Sequence, residues 1–326
     1  MTNQQKLTIS DIAKLANVSI ATVSRYLNGQ LNQMSETTAQ KIKKIITETD
    51  YIRNSAAVQL AKKRSNLVAV VASNIDEYFS SEYFKGIVSI LSAFGYIGVL
   101  LDSDSNLKTE KAHLESVYNQ NFAGIILQPL TTDSAVIRKF LNNNMPIVLI
   151  DREFADLEMS SVTTNNFEIA KYAMSQLSPD SFSSVTVITE PVKKLSTRVA
   201  RVAGIKTVFD QVNVIETQSE HFDVNKLSET VDLNNPKNLL VVLKERLLIQ
   251  LLTHPSFLTQ AHQTQNITGF IDTAMPRYLA PNFKFIQQSP YLMGASAAEI
   301  LIKHLSSENN DYHQTIQNII IPSHYK

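Results

Sequence analysis

The sequence predicts an α/β chain in two parts, an N-terminal all-α unit of the helix-turn-helix kind and a larger two-lobed module built on parallel sheets. Three observations point there. Residues 9–29, ISDIAKLANVSIATVSRYLNG, place apolar side chains at helical spacing on both sides of a short polar break. From Asn66 onward, apolar runs of four or five residues alternate with longer amphipathic stretches, the winding of βαβ units. The charge balance changes as well: residues 1–65 carry ten Lys/Arg against four Asp/Glu, and the remainder 20 against 26.

In the first part, Ile12, Leu15 and Ala16 fall at i, i+3 and i+4, and Val23 and Leu27 repeat that spacing, so each short helix is expected to bury one face. Neither is long enough to hold alone. Thr8 followed by Asp11 is a capping-box start, Ser19 is an N-cap for the second helix, and Asn17 suits a left-handed turn residue. From that cap, Ile20, Ala21 and Arg25 point away from the Val23/Leu27 face. Such a helix fits the major groove of DNA, where an arginine reaches guanine through two hydrogen bonds and apolar groups meet a thymine methyl. Thr22, Ser24, Tyr26 and Asn28 carry hydroxyl and amide groups of the kind that hold phosphates, and the basic balance of this end fits the same partner. Ser35 opens a third helix with Ile42, Ile45 and Ile46 as its buried stripe and Lys41, Lys43 and Lys44 on its solvated face, ending near Asp50.

Residues 67–71 form a continuous apolar run suited to a buried parallel strand. The reading continues with helix 83–94, strand 97–101, helix 108–120, strand 124–127, helix 134–142 and strand 146–150. A second set follows: helix 167–176, strand 185–189, helix 197–211, strand 239–243, helix 245–253 and strand 267–271, with a last helix over 292–305. Ligands of such sheets bind at the carboxyl ends of strands. Tyr78 and Phe79 in the loop after the first strand, Asp151 and Arg152, Lys244, and Asp272 all follow strand ends, while Arg198 and Arg201 share a helix face.

Composition narrows the function. At 326 residues the chain is long enough for two or three domains. Cysteine is absent, which removes disulfides, thiolate nucleophiles and Cys-based zinc sites. The histidines at 113, 221, 254, 262, 304, 313 and 324 have no metal spacing, and no phosphate loop, Gly-x-Ser-x-Gly or His-Glu-x-x-His occurs. Neither a metal, a cofactor nor an enzyme is expected. No run approaches the ~20 apolar residues of a membrane span, and the polar start is not a signal peptide, so a cytoplasmic location is expected.

The string from Thr8 to Gly29, with Thr22-Val23-Ser24-Arg25 and Leu27-Asn28-Gly29, resembles the headpiece of the LacI/GalR family of bacterial transcription regulators, and the likeness runs along the whole chain. The resemblance implies a DNA-binding headpiece over 1–65 with a hinge helix over about 54–63, and a periplasmic-binding-protein-like effector and dimerisation module over 66–326. Lobe one would take 66–162 and 291–320, lobe two 163–290 with the C-terminal end, the chain crossing near Thr163, near Ser289 and after Ile319. By the same resemblance Ile20, Ala21 and Arg25 read bases. Tyr51, Asn54, Ala57 and Leu60 match the hinge pattern, with Leu60 as the wedge that unstacks a base step when a homodimer meets a palindromic operator. Arg53 stands where the family pattern has Pro.

In the module, Asp151-Arg152 resembles the family's Asp-Arg pair, Arg201 the arginine that grips effector hydroxyls or carboxylate, and Phe79 the aromatic that stacks on a sugar. Departures carry information. Glu77 and Tyr78 replace Asn and Pro, Lys244 replaces Asn, Asn165 replaces Asp, and Ile271 replaces the first of two Asp, leaving Asp272. A carboxylate fewer and a cation more, beside Arg152, Arg198 and Arg201, tilt the pocket towards a sugar acid or sugar phosphate rather than a neutral hexose. Phe79-Ser80-Ser81-Glu82, Lys85-Gly86-Ile87, Thr189-Glu190-Pro191 and Ser196-x-Arg198 resemble the members that control uronate, ketodeoxygluconate and glycosaminoglycan use. Together these imply a repressor of carbohydrate catabolism modulated by a small sugar-type effector. The alternatives are a regulator with a degenerate pocket and a sugar receptor without regulatory DNA binding.

Overall fold

The computed structural model describes residues 7–27, 29–49, 51, 65–192, 195–218, 222–232, 235–255, 266–306 and 316–326. The chain divides into two compact units, Met1–Ser65 and Asn66–Lys326. In the first, α1 (Ile9–Ala16), α2 (Ile20–Leu27) and α3 (Glu36–Glu48) close around Ile12, Ala13, Ala16, Val23 and Ile42. Thr8 caps α1 reciprocally: its Oγ1 accepts from Asp11 N at 3.4 Å and Asp11 Oδ2 accepts from Thr8 N at 2.9 Å. Asn17 takes the left-handed conformation, φ 49° and ψ 50°, and reverses the chain into α2. Ser35 Oγ accepts from Thr38 N and opens α3.

Leu15 departs from the expectation. It is 54% exposed, and Ala13 faces inward instead. The inward face of α1 is centred between Ile12, Ala13 and Ala16, and Leu15 lies about a quarter turn off that centre at 100° per residue. The two alanines keep the buried side of α1 thin, which lets the neighbouring helices come close.

The second unit holds two six-stranded sheets. Its strands in chain order are β1 (Leu67–Ala72), β2 (Ile97–Asp102), β3 (Gly124–Leu127), β4 (Ile147–Ile150), β5 (Ser161–Thr164), β6 (Ser184–Thr189), β7 (Val212–Glu216), β8 (Asn238–Val242), β9 (Asn266–Ile271), β10 (Ile286–Gln287), β11 (Asn318–Ile321) and β12 (His324–Tyr325). The first sheet runs β11-β5-β4-β3-β1-β2 and is parallel throughout. The second runs β12-β10-β9-β8-β6-β7, parallel except for the last pairing of β12 with β10. The chain passes between sheets after β5, after β10 and after β11.

The helices are α4 (Tyr78–Ala93), α5 (Leu107–Asn119), α6 (Arg138–Leu141), α7 (Asn166–Ser175), α8 (Ser196–Lys206), α9 (Val224–Thr230), α10 (Glu245–Thr253), α11 (Met275–Leu279) and α12 (Pro290–Ser306). Five of these differ from the sequence reading, which has no counterpart for α9 or α11. Helix α4 begins at Tyr78, so Tyr78 and Phe79 lie in its first turn rather than in a loop. Residues 134–142 split into a 3-10 turn over Ser134–Val136 and the single turn of α6. Helix α8 stops at Lys206, because Val212 to Glu216 must be released to form the edge strand β7.

Candidate functional site

The strand ends of both sheets converge on one cavity of about 390 Å³. At its centre lies Arg201 of α8, buried, with its charge carried into the interior on four contacts. Its Nε donates to Asn166 Oδ1 at 2.7 Å, Nη1 to the Leu243 carbonyl at 3.0 Å and Nη2 to Gln288 Oε1 at 2.9 Å, and the guanidinium sits 3.8 Å from the Phe270 ring centroid. All three acceptors are neutral. Burial pulls its pKa down to about 10, so the group stays charged at neutral pH while losing its hydration.

Asp272 sits beside it on the cavity wall. Burial, and then the neighbouring Glu245 carboxylate, push its pKa well above the usual carboxylate range, and its Oδ1 has no hydrogen-bond partner among the described residues. Glu245 is itself held by the backbone N–H groups of Asp272 and Thr273 and by the Thr273 hydroxyl. Asp272 therefore disfavours the anionic form that would neutralise Arg201.

On the wall formed by the first sheet, Asp151 has φ 68°, a left-handed backbone that a non-glycine residue adopts at a cost of order 1–3 kcal/mol. Its Oδ2 accepts from Gln128 Nε2 at 2.9 Å, and Gln128 Oε1 accepts from the Ser73 hydroxyl at 2.8 Å. Arg152 Nη1 donates to the Pro129 carbonyl at 3.0 Å, and its Nε lies 3.3 Å from Asp151 Oδ2. Phe79 is buried and lines the cavity, with an edge-on contact to Tyr83 at 5.6 Å between centroids.

Tyr78 is the named cleft residue that the structure places elsewhere. It is 41% exposed and off the cavity wall, since neighbours in a helix diverge by 100° and Phe79 takes the inward direction. The surplus of positive charge expected from the sequence is also smaller than the cations alone imply. Glu190 pairs with both Arg198 and Lys244, and Glu77 lies 2.8 Å from Lys244. The guanidinium left with neutral hydrogen-bond acceptors is that of Arg201.

On the headpiece, Ser19 Oγ accepts from Thr22 N at 3.1 Å and shares a hydrogen bond with Thr22 Oγ1 at 2.8 Å, which starts α2. Val23 is buried beneath it, while Thr8, Ser19, Ile20, Ala21 and Arg25 are exposed and Thr22 and Ser24 are half-buried. Asn28 and the hinge positions Ala57 and Leu60 lie outside the described residues. Among the described residues no His, Asp and Glu group has metal-binding geometry, and no helix is long and apolar enough to cross a membrane.

Residues 8–54 match bacterial regulatory proteins of the lacI family, and residues 64–228, half of the chain, match the periplasmic binding proteins and sugar binding domain of the LacI family. The chain belongs to the LacI family. As a LacI-family regulator it is a DNA-binding transcription regulator with a sugar-binding domain. It is 28% identical over 311 residues to the HTH-type transcriptional regulator KdgR of Bacillus subtilis (strain 168), covering 92% of each chain. It is 24% identical over 323 residues to the probable HTH-type transcriptional regulator EndR of Paenibacillus polymyxa, covering 96% of this chain and 94% of that one. Among solved structures it is similar to a LacI transcriptional regulator from Lactobacillus brevis, with a TM-score of 0.71 and 34% identity over 80% of this chain and 99% of that one. The Lac repressor bound to ONPG has the same fold, with a TM-score of 0.82 at 20% identity over 99% of this chain and 98% of that one.

The cleft of this LacI-family chain also contains groups that the sequence did not single out as effector ligands: Ser73, Gln128, Glu190, which entered only as part of a motif, and Gln288, with Asn166 of the crossover behind Arg201. The signal was available for four of them. Ser73 follows β1, Gln128 follows β3, Glu190 follows β6 and Gln288 follows β10, the same strand-end position that singled out Asp151.

Proposed function

We propose that this regulator is a cytoplasmic homodimer that represses carbohydrate-catabolism genes from a palindromic operator, and that a carbohydrate acid in the cleft shifts its operator affinity. It acts by binding, with no chemical step. The headpiece covers 1–65 and the effector module 66–326. In the headpiece, Ile20, Ala21 and Arg25 meet base edges, Thr8, Ser19, Thr22, Ser24 and Asn28 meet phosphates, and Ala57 and Leu60 of the hinge reach the minor groove. Catabolite control protein A of Streptococcus mutans, 27% identical over 327 residues, and a Lac repressor dimer solved on its operator are relatives whose names support the carbohydrate and dimer parts of the reading.

The observation that carries the effector is Arg201, a buried cation whose hydrogen bonds all end on neutral acceptors. A ligand carboxylate there gains a charge-assisted pair with a guanidinium that burial already keeps from most contact with solvent. Gln288, whose Nε2 is buried without a hydrogen-bond partner among the described residues, and Asp272 offer polar groups for sugar hydroxyls. A cavity of about 390 Å³ suits a monosaccharide-sized molecule. Because two half-sites are bound together, a ligand that prefers one lobe arrangement changes operator affinity by the same coupling factor.

Isothermal titration of the full-length protein with uronates, 2-keto-3-deoxy acids, their phosphate esters and neutral hexoses tests this. One of the acids should bind, and Arg201→Lys should weaken it by about tenfold to a hundredfold. Binding of a neutral hexose with no acid bound would reject the proposal.

A further inference from the structure

We propose that Glu77 and Lys244 form an ion-pair latch that closes the two lobes on each other before any ligand arrives. Glu77 belongs to the first lobe and directly precedes α4, while Lys244 belongs to the second and directly precedes α10. Their charged atoms lie 2.8 Å apart, and the side chains are only 18% and 19% exposed. Glu77 makes no capping hydrogen bond to its own helix, so its carboxylate is committed across the cleft. Lys244 is held from the other side by Glu190, which is anchored in turn by Arg198, so the ammonium is fixed in place rather than waving on a flexible stem.

The neighbouring residues repeat the pattern. Arg246 Nη1 lies 3.5 Å from Asp76 Oδ2, again joining the second lobe to the first, and Glu153 N donates to Ser196 Oγ at 3.4 Å. Two consecutive acids on one lobe thus face two cations spaced one residue apart on the other. Both Glu77 and Lys244 stand where the sequence departs from the family's asparagines, and they depart in opposite charge. A lone cation introduced at 244 would repel the positive amino end of α10; two carboxylates offset that.

The latch bears on ligand choice as well. An anionic group entering at Lys244 meets Glu77 and Glu190 first and can take the ammonium only by displacing one of them. The latch and an anionic ligand group therefore compete for the same ammonium, and the latch weakens with salt, since partly exposed pairs are screened. It does not depend on which molecule the cleft accepts.

The cysteine-free sequence makes a direct measurement simple. Lys108 and Lys226 are exposed in the first turns of α5 and α9, one on each lobe, at helix ends facing the cleft. Spin labels on Lys108→Cys and Lys226→Cys in the full-length, ligand-free protein report the interlobe distance by pulsed dipolar spectroscopy. The expected result is a mainly short distance at about 0.05 M salt, with a longer population growing at about 0.5 M. Glu77→Gln and Lys244→Met should each lower the closed-to-open ratio by about fivefold, the upper end for a partly exposed pair. The double variant should go no further than either single one, and Glu82→Gln, which breaks only the pair with Lys85 inside α4, should change nothing. Circular dichroism establishes that each variant is folded. Distance distributions in Glu77→Gln and Lys244→Met identical to the parent, or equal opening in Glu82→Gln, would overturn the latch.

Discussion

Glu110 has a carboxyl group that its lobe holds out of water. It is fully buried on α5, Leu130 N donates to its Oε2 at 2.9 Å, and burial pushes its pKa up to about 7 against that hydrogen bond. The unfolded chain ionises this group near 4.5, so its contribution to stability is present below that pH and is lost as pH rises through 7, about 3 kcal/mol in all. Glutamine keeps an acceptor for Leu130 N and never ionises. Glu110→Gln should therefore melt about 5 °C above the parent at pH 8 and close to it at pH 5, a difference that thermal denaturation at the two pH values will reveal. Arg25 is the opposite case, exposed on α2 with no structural task evident. Arg25→Ala should leave the melting temperature unchanged and abolish operator preference while salt-sensitive non-specific binding persists; retained selectivity in a gel-shift against random duplex would contradict the base-reading role. Residue identity was legible here and burial was not: Leu15 and Ala13 satisfy helical spacing about equally well, and only the neighbouring helices decide which one turns inward.

Elements were legible where packing made them uniform. β1, β3, β4 and β8 are covered on both faces, which demands the continuous apolar runs that the sequence displays. β5 escaped notice because Ser161, Thr163 and Thr164 are hydroxyl residues; Ser161 and Thr164 are buried and satisfy their polar atoms on Glu153, Asn318, Ile321 O and Ser323. β7 escaped because an edge strand need bury only part of each residue, and its pattern is half-buried and exposed throughout. The contact between α4 and α12 is a constraint of a different kind. A Cβ on Gly294 would sit 1.9 Å from the Tyr83 carbonyl oxygen, and one on Gly86 would sit 2.0 Å from that of Tyr291, so backbone touches backbone on both sides. The obstacle is main chain, not a side chain that swings aside. Gly294→Ala should cost about 3 kcal/mol or more, seen as a lower midpoint in urea, because the two helices must separate and uncover Tyr83, Ile87 and Met293.

At the scale of the whole molecule, the two units have separate hydrophobic interiors. Ile12, Ala16, Val23 and Ile42 form a small core of their own, and among the described residues the buried members of the clusters around the two sheets all lie from Val68 onward. A chain beginning at Asn66 thus keeps all of the described residues that make up those clusters. It should fold with a single cooperative melt and keep whatever thermal shift the full protein shows with its sugar acid, because Arg201, Gln288 and Asp272 are supplied wholly from this side. Operator binding should vanish, since every base-facing and phosphate-facing group proposed above lies before residue 61. The comparison is informative in both directions. Loss of ligand binding on truncation would mean that the headpiece helps to shape the cleft, and residual operator selectivity would move DNA recognition onto the module, contrary to the division of labour argued from charge, burial and capping in the first 65 residues.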